Sequence, residues 1–377
     1  MRGGGELVAL WAQLGSVIEL VAGVALAGVG AGLSVYVART KRAERQHDLL
    51  REALRLGLRA AFPVAVTAGI AGLLFQNLLS GGKLSPALLA LAAAAGWIAV
   101  IPGLVNSLWL GQQRRSLMLG LAAGSVLLAL AVSMLAAENL LLPLLAVSQA
   151  VPALAVLFLP GKREAKPRFR ARSHPLRRYV LPGLAIGILS PLSMVVARGV
   201  VGEALSWHEA GVLQALWRVS DWVCGFAGGI LSVHFLPRFA ATRGSPQFLV
   251  ELRRAAAVTL LPAAVVFAGL YLAQRPLLAA LYDADFGAPD GAVALLFAGS
   301  VVRIASWIPL FALYALRRTR EIALGEFLSL PLFAVLLVMP GSGLSLQTVG
   351  ASWTVSFLVY CGFNFWALRR VSAPRPS

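Results

Sequence analysis

Apolar runs of about twenty residues recur along nearly the whole chain, and each is long enough to cross a lipid bilayer as a helix. A helix satisfies its own backbone hydrogen bonds, which a bilayer requires of any segment inside it. The sequence therefore predicts an all-α polytopic membrane protein with about eleven transmembrane helices. The predicted spans are 8–37, 60–80, 84–111, 117–136, 139–160, 179–200, 207–237, 255–274, 291–316, 322–339 and 347–368.

Composition supports the same fold class. The chain is 59% hydrophobic and 13% charged, whereas a soluble domain carries about 25% charged residues. The N-terminus MRGGGE lacks the basic and short apolar regions of a cleavable signal peptide. Cys224 and Cys361 both lie in apolar segments, and the histidines make no ligand spacing, so we predict neither a disulfide framework nor a metal site. No motif predicts a cofactor.

The net charge of +17 is explained by membrane topology. Most lysines and arginines lie in alternate loops, whereas the intervening loops are short and carry acids such as Glu138, Glu203 and Asp290. Basic loops stay on the cytoplasmic side of a membrane. The pattern predicts a cytoplasmic C-terminus, and it gives no indication of nucleic-acid binding.

The same pattern predicts how the helices are grouped. It places the N-terminus outside, which leads us to expect one further helix ahead of Met1. The basic loop 161–178 then separates two groups of six helices. We therefore expect an N-terminal lobe (1–160), a cytoplasmic linker (161–178) and a C-terminal lobe (179–377) around a central cleft, a common plan among transporters.

The seventh predicted span carries charges well inside an apolar stretch. Steps of three or four residues place one set of small or polar residues on a single helix face: Gly211, Gln214, Arg218, Asp221 and Gly225. A charge near the bilayer centre costs about 3 kcal/mol on insertion scales, so such a face favours contact with a wet cavity over contact with lipid. The alternative is an internal arginine–aspartate pair that locks helices together.

Four more charged residues fall within predicted spans: Glu19, Arg198, Arg303 and Glu326. Arg198 either faces the cleft or extends to the membrane surface. Arg303 lies about a dozen residues inside its predicted span, too deep for its side chain to reach the membrane surface. Its position favours a role in the cavity. For Glu326, which follows Arg320 and Glu321, an ion pair at a helix end is the expectation. Glu19 is either a partner for an arginine or a proton carrier. Together the arginines predict a cleft that prefers anions, since the guanidinium suits phosphate.

Three stretches resemble the Wzx-type lipid-linked oligosaccharide flippases of the O-antigen and enterobacterial common antigen kind, within the MOP exporter superfamily. They are GLSVYVAR at 32–39, SWHEAGVLQALWRVSDWVCGFAGGILSVHFLPRF at 206–239 and FGAPDGAVALLFAGSVVRIASWIPLFALYALRRTREIALGEF at 286–327. The resemblance covers nearly the whole chain in order. It implies twelve helices arranged in two lobes of six. On this expectation the first of the twelve helices precedes Met1.

The resemblance also implies a function. The substrate would be an undecaprenyl-pyrophosphate-linked oligosaccharide, moved from the cytoplasmic to the periplasmic leaflet of the bacterial inner membrane, beside a polysaccharide polymerase and a chain-length regulator. Candidate substrate-binding residues are Arg198, Gln214, Arg218 and Arg303. Asp221 and Glu19 are candidate ion-coupling residues.

Three alternatives stay open at this point. Two of them belong to the same superfamily: a drug or cation exporter, and a lipid II flippase. The third is an enzyme. An enzyme acting on lipid-linked sugars, such as a membrane glycosyltransferase, polymerase or ligase, needs catalytic groups on a sizeable outer loop. The largest outer loop, 275–290, offers only Asp283, Asp285 and Asp290.

Overall fold

The computed structural model describes residues 4–40, 42–153, 176, 180–282, 286–316, 318–339 and 343–372. Within these ranges the chain forms helices joined by short turns, and none of these residues lies in a β-strand. The predicted all-α class is confirmed.

The N-terminal half begins with a long continuous run of helix. Its helices are α1 (Gly4–Ala25), α2 (Ala31–Arg39), α3 (Ala43–Leu74), α4 (Gln76–Ser80), α5 (Pro86–Gly111), α6 (Arg115–Leu135) and α7 (Glu138–Ser148). A π-helical turn, Leu26–Gly30, joins α1 to α2 without a break. Ser85 caps α5, because its Oγ accepts a hydrogen bond from the Leu88 N–H at 3.3 Å.

The C-terminal half holds the charged span. Its helices are α8 (Val180–Ala204), α9 (Trp207–Ile230), α10 (Leu236–Ala241), α11 (Gln247–Leu272), α12 (Gln274–Leu281), α13 (Asp290–Ala315), α14 (Thr319–Phe327), α15 (Leu330–Val338) and α16 (Leu346–Ser372). Ser206 caps α9 by accepting from the Glu209 N–H at 3.0 Å. A π-helical turn, Leu231–Phe235, continues α9 into α10.

The predicted membrane spans coincide with these helices. Nine helices within the described ranges are long and apolar enough to cross a membrane. The span predicted at 139–160 corresponds to the shorter apolar helix Asn139–Ala153, and its remainder lies outside the described residues. The last predicted span, 347–368, falls within the 27 residues of α16. The chain is a multi-pass membrane protein.

Two predicted elements differ from the structure. The basic stretch 43–59, expected as a loop, is the first half of α3, because Ala53, Gly57 and Ala61 recur every four residues and bury one face while the arginines stay on the other. The span predicted at 322–339 is broken at Leu328 and Ser329 into α14 and α15. Pro331, which falls in the middle of that predicted span, lies at the start of α15, where its missing N–H costs no hydrogen bond.

The chain forms two compact units. The N-terminal unit comprises Leu10–Val195, and the C-terminal unit comprises Met1–Ala9 with Val196–Ser377. The boundaries fall inside α1 and α8. Except for Leu176, the predicted linker 161–178 lies outside the described residues, so the division into lobes 1–160 and 179–377 stays a prediction.

Small residues allow close helix packing in the N-terminal unit. Gly23 of α1 faces Gly187 of α8 at the point where their backbones approach, and a Cβ on Gly187 would lie 2.5 Å from the Gly23 carbonyl oxygen. Nearby, the Gln13 side-chain amide donates to the Leu79 carbonyl at 2.7 Å and to the Val195 carbonyl at 3.0 Å. These contacts tie α1 and α4 to α8 without any charged group, as is usual for helices that pack in a membrane.

Aromatic rings form the centre of the C-terminal unit. Trp353 of α16 packs against Trp217, Phe333 and Phe357, with ring centroids 4.8–5.5 Å apart. The Trp353 Nε1–H donates to the Ser300 hydroxyl of α13 at 3.3 Å. Because rings on α9, α15 and α16 meet here and Ser300 adds a hydrogen bond from α13, the cluster fixes the positions of the helices that carry the candidate site.

Candidate functional site

The polar stripe of α9 divides into a buried half and an exposed half. Gly211 and Gln214 are buried, whereas Arg218, Asp221 and Gly225 are exposed. The predicted helical face exists, but only its second half is open to a ligand. Each half therefore has its own physical explanation.

The buried half begins with a close helix contact at Gly211. A Cβ at this position would overlap the carbonyl oxygen of Gly5 in α1. No side chain fits in that space, so Gly211 serves the crossing of α1 over α9. The sequence suggested that this glycine extended a cavity-facing stripe, and its surroundings are instead backbone.

Gln214 forms the second part of the buried half, together with Arg198 of α8. The Arg198 Nη1 donates to the Gln214 Oε1 at 2.7 Å, and the two side chains are 2% and 5% exposed. Because the Arg198 side chain is enclosed by protein, the structure favours this contact over extension to the membrane surface. The bond joins α8 to α9 inside the C-terminal unit.

In the exposed half, Asp221 bonds to Arg303 of α13. The Arg303 Nη1 donates to the Asp221 Oδ1 at 2.7 Å, and the side chains are 19% and 45% exposed. A charge-assisted hydrogen bond of this length is stronger than a hydrogen bond between neutral groups. The sequence allowed an ion pair inside the span between Arg218 and Asp221, and the structure pairs Asp221 with Arg303 instead.

Three aromatic rings surround the Arg303 guanidinium. Its central carbon lies 5.2 Å from the Trp307 ring centroid, 5.7 Å from that of Trp353 and 5.6 Å from that of Phe357. Rings at these distances attract a cation and hold the guanidinium plane in place. The Arg303 guanidinium is therefore held in one orientation. Its Nη1 is bonded to the Asp221 carboxylate, and its other nitrogens do not take part in that bond. Arg303 could be identified from the sequence, but its contacts with the rings could not, because two of the rings lie on α16, about fifty residues away.

Arg218 lies one helical turn from Asp221, on the exposed surface of α9. Among the described residues no acid forms an ion pair with Arg218. Its charge acts on Tyr282, at the end of α12: burial raises the pKa of the Tyr282 hydroxyl, and Arg218 offsets part of that rise. The Tyr282 ring stacks on Phe286 at 5.0 Å. Arg218 therefore lies near an aromatic segment that follows α12.

An open groove begins at Asp221 and runs along α9. Its volume is about 890 Å³. The lining is mostly apolar and includes Asp221, Trp222, Gly225, Phe226, Val233 and His234. The Asp221 carboxylate, which is bonded to Arg303, therefore lies at one end of a long apolar surface.

The last candidate, Glu19, lies on α1 in the N-terminal unit, and its side chain is exposed. The other candidates belong to the C-terminal unit, as two bonded pairs and Arg218. The structure thus brings together Arg198 with Gln214 and Asp221 with Arg303. Their roles toward a substrate or an ion stay predictions.

Comparisons with solved structures show which known proteins share this fold. No protein-family model matches the chain, and no curated protein matches it. Solved membrane transporters do match. An inward-facing multidrug resistance MATE family transporter of the MOP superfamily aligns with a TM-score of 0.76 at 16% identity, over 98% of this chain and 92% of that one.

Two further structures agree. A MOP superfamily transporter from Pyrococcus furiosus aligns with a TM-score of 0.67 at 17% identity, over 98% of this chain and 92% of that one. The lipid II flippase MurJ, in an inward closed conformation, aligns with a TM-score of 0.69 at 12% identity, over 97% of this chain and 85% of that one. The chain therefore has the fold of the MOP-superfamily transporters and flippases. At these identities the similarity defines the fold, and the substrate is a separate question.

Proposed function

We propose that this chain is a flippase that moves an undecaprenyl-pyrophosphate-linked oligosaccharide from the cytoplasmic to the periplasmic leaflet of the bacterial inner membrane. In this proposal the C-terminus is cytoplasmic, and a polysaccharide polymerase and chain-length regulator act on the exported product. The observation that carries the proposal is Arg303, which is oriented by three rings and by Asp221, the residue at the end of an apolar groove.

The chemistry of the site matches the two ends of such a substrate. A polyprenyl chain is apolar and needs a long apolar surface, which the groove offers. A pyrophosphate is anionic and suits guanidinium groups, because their planar set of donors matches phosphate oxygens. Arg218 and Arg303 would bind the pyrophosphate, while Arg198 and Gln214 would hold α8 against α9 beside them. The fold shared with a lipid II flippase is compatible with a lipid-linked substrate.

The second candidate function is export of a drug or cation. It is favoured by the alignment with multidrug resistance MATE family transporters. A cationic substrate is favoured by a site with net negative charge. The exposed half of the α9 stripe instead holds Arg218 beside the Asp221–Arg303 pair.

Genetic complementation tests the proposal. The chain is expressed in strains that lack an oligosaccharide flippase, and the surface glycan is measured. Arg218→Ala and Arg303→Ala are compared with Arg370→Ala, a control at an exposed arginine near the end of α16. Rescue that both site variants abolish at equal membrane expression, and that the control retains, supports the flippase and its cationic site.

Other outcomes separate the alternatives. Rescue that survives both site variants keeps the flippase but removes the arginines from the site. Failure to rescue any of several glycan types, together with increased drug resistance in the expressing strain, would identify an exporter.

A further inference from the structure

A second apolar groove lies between α11, α13 and α16 of the C-terminal unit, and it shares no lining residue with the groove that begins at Asp221. Its volume is about 330 Å³. Most of its lining is aliphatic or aromatic and includes Ala256, Leu260, Ala305 and Phe365. Two arginines from different helices line the same groove: Arg253 of α11 and Arg369 of α16.

The two arginines lie at the same end of the apolar runs of their helices. Arg253 comes two residues before the apolar run 255–274, and Arg369 directly follows the run 347–368. From the arginines, the groove continues along these runs between apolar walls. The alternating loop charges predict that this end of the helices is cytoplasmic. The groove therefore changes from apolar to positive where the hydrocarbon of a bilayer meets its headgroups.

No acid among the described residues forms an ion pair with either of these arginines. The acid nearest to them in the sequence, Glu251, is paired with Arg238 at 3.5 Å. The sequence predicted an ion pair for Glu326 of α14, but this carboxylate instead accepts a hydrogen bond from the Tyr360 hydroxyl at 3.0 Å. Both groove arginines are exposed. Two cations without ion pairs that line one groove attract an anion.

The groove has room for one hydrocarbon chain. A cavity of about 150 Å³ holds a benzene molecule, so 330 Å³ corresponds to about a dozen carbon atoms. That is a large part of one phospholipid acyl chain, whereas the polyprenyl chain of a glycan carrier is several times longer. Basic pockets between membrane helices on the cytoplasmic side bind anionic lipid headgroups in other membrane proteins. Size and charge together favour a phospholipid.

We propose that this groove binds one anionic glycerophospholipid from the cytoplasmic leaflet. Its phosphate lies between Arg253 and Arg369, whose guanidinium groups donate to the phosphate oxygens. One acyl chain lies against Leu260 and Phe365, between the three helices. A zwitterionic lipid fits less well, because its ammonium group is repelled by the same arginines. The bound lipid stabilises the packing of α11, α13 and α16, and the proposal holds whatever solute the protein carries.

Native mass spectrometry of the purified full chain tests the charge of the site. The chain is titrated with phosphatidylglycerol and with phosphatidylethanolamine that has the same acyl chains. The double variant Arg253→Gln/Arg369→Gln should weaken binding of phosphatidylglycerol about thirtyfold, which corresponds to about 2 kcal/mol. The matched control is Arg254→Gln/Arg370→Gln. It removes the same charge from the neighbouring exposed positions, which do not line the groove, and should bind phosphatidylglycerol as the unaltered chain does.

A second pair of variants tests the apolar walls while keeping all four arginines. Ala256→Phe fills the groove and should also weaken binding of phosphatidylglycerol, whereas Ala264→Phe, at an exposed position of α11 outside the groove, should not. Unchanged binding in Ala256→Phe would overturn the assignment to the groove. Equal losses in the two arginine double variants, or equal binding of the two lipids by the unaltered chain, would overturn the anionic site. Displacement of phosphatidylglycerol by a polyprenyl pyrophosphate would assign the groove to a carried lipid and would also overturn the proposal.

Discussion

Asp221 accepts its hydrogen bond from Arg303, 82 residues along the chain, and not from Arg218 on its own helix. The bond joins α9 to α13 at the opening of the apolar groove. The Asp221 carboxylate balances the charge of Arg303. Arg218 remains as a further positive charge on the same exposed surface of α9. The charge of the candidate site therefore depends on a contact between helices, and not on the spacing within one of them.

A double-mutant cycle should detect this pairing. Asp221→Asn and Arg303→Gln should show a coupling energy of about 1 kcal/mol in the free energy of unfolding in detergent, near the low end for contacting groups because Asp221 is 45% exposed. The matched cycle of Asp221→Asn with Arg218→Gln should be additive within about 0.5 kcal/mol. Equal coupling in the two cycles would contradict the observed pairing.

Arg303 should not be replaceable by lysine. Lysine keeps the charge but loses the planar group that three rings and a carboxylate hold in place. Arg303→Lys should weaken binding of a short-chain polyprenyl pyrophosphate by the purified chain about tenfold, which corresponds to about 1.4 kcal/mol. Binding of the matching neutral polyprenol should change little.

Arg370→Lys is the matched control for this experiment. Its guanidinium also lies over a ring, 5.4 Å from the Trp366 centroid, but on an exposed part of α16. Binding of the pyrophosphate should be unchanged in this variant. A similar loss in both variants would mean that the effect of Arg303→Lys is general and does not come from the site.

The helical class and the positions of the spans could be predicted because they depend on local chemistry. Apolar length is a property of contiguous residues, and the helices coincide with the apolar runs. The extension of α3 back to Ala43 was missed because its arginines were interpreted as a loop. The repeat of small residues every four positions was the available signal.

The pairing of the site residues could not be predicted in the same way. Helical periodicity placed Gln214, Arg218 and Asp221 on one face, which the structure confirms, but periodicity does not say what each residue meets on other helices. Gly211 shows the limit: its backbone contact with Gly5 depends on a crossing between α1 and α9. The break before Leu330 was likewise missed, although Glu326, Ser329 and Pro331 interrupt the apolar run at this point.

The membrane orientation can be measured by labelling single cysteines. In a background with Cys224→Ala and Cys361→Ala, Gly287→Cys lies between α12 and α13, and Gln247→Cys starts α11. Both positions are exposed. Because basic loops stay in the cytoplasm, a membrane-impermeant maleimide should label Gly287→Cys in spheroplasts, and Gln247→Cys only after permeabilisation. The reverse result would invert the proposed topology.

Gly211 and Gly225 provide the sharpest test of how the α9 stripe is divided. Both are glycines on the same helix face, but a Cβ on Gly211 would overlap the Gly5 backbone, whereas a Cβ on Gly225 meets nothing within 4 Å. Gly211→Ala should therefore lower the free energy of unfolding by about 1–3 kcal/mol, because the backbone of α1 must move away. Gly225→Ala should be neutral or stabilising by up to about 1 kcal/mol, since alanine favours the helix. Thermal unfolding of the two variants in the same detergent measures the difference, and equal stability would mean that α1 does not cross α9 at Gly211.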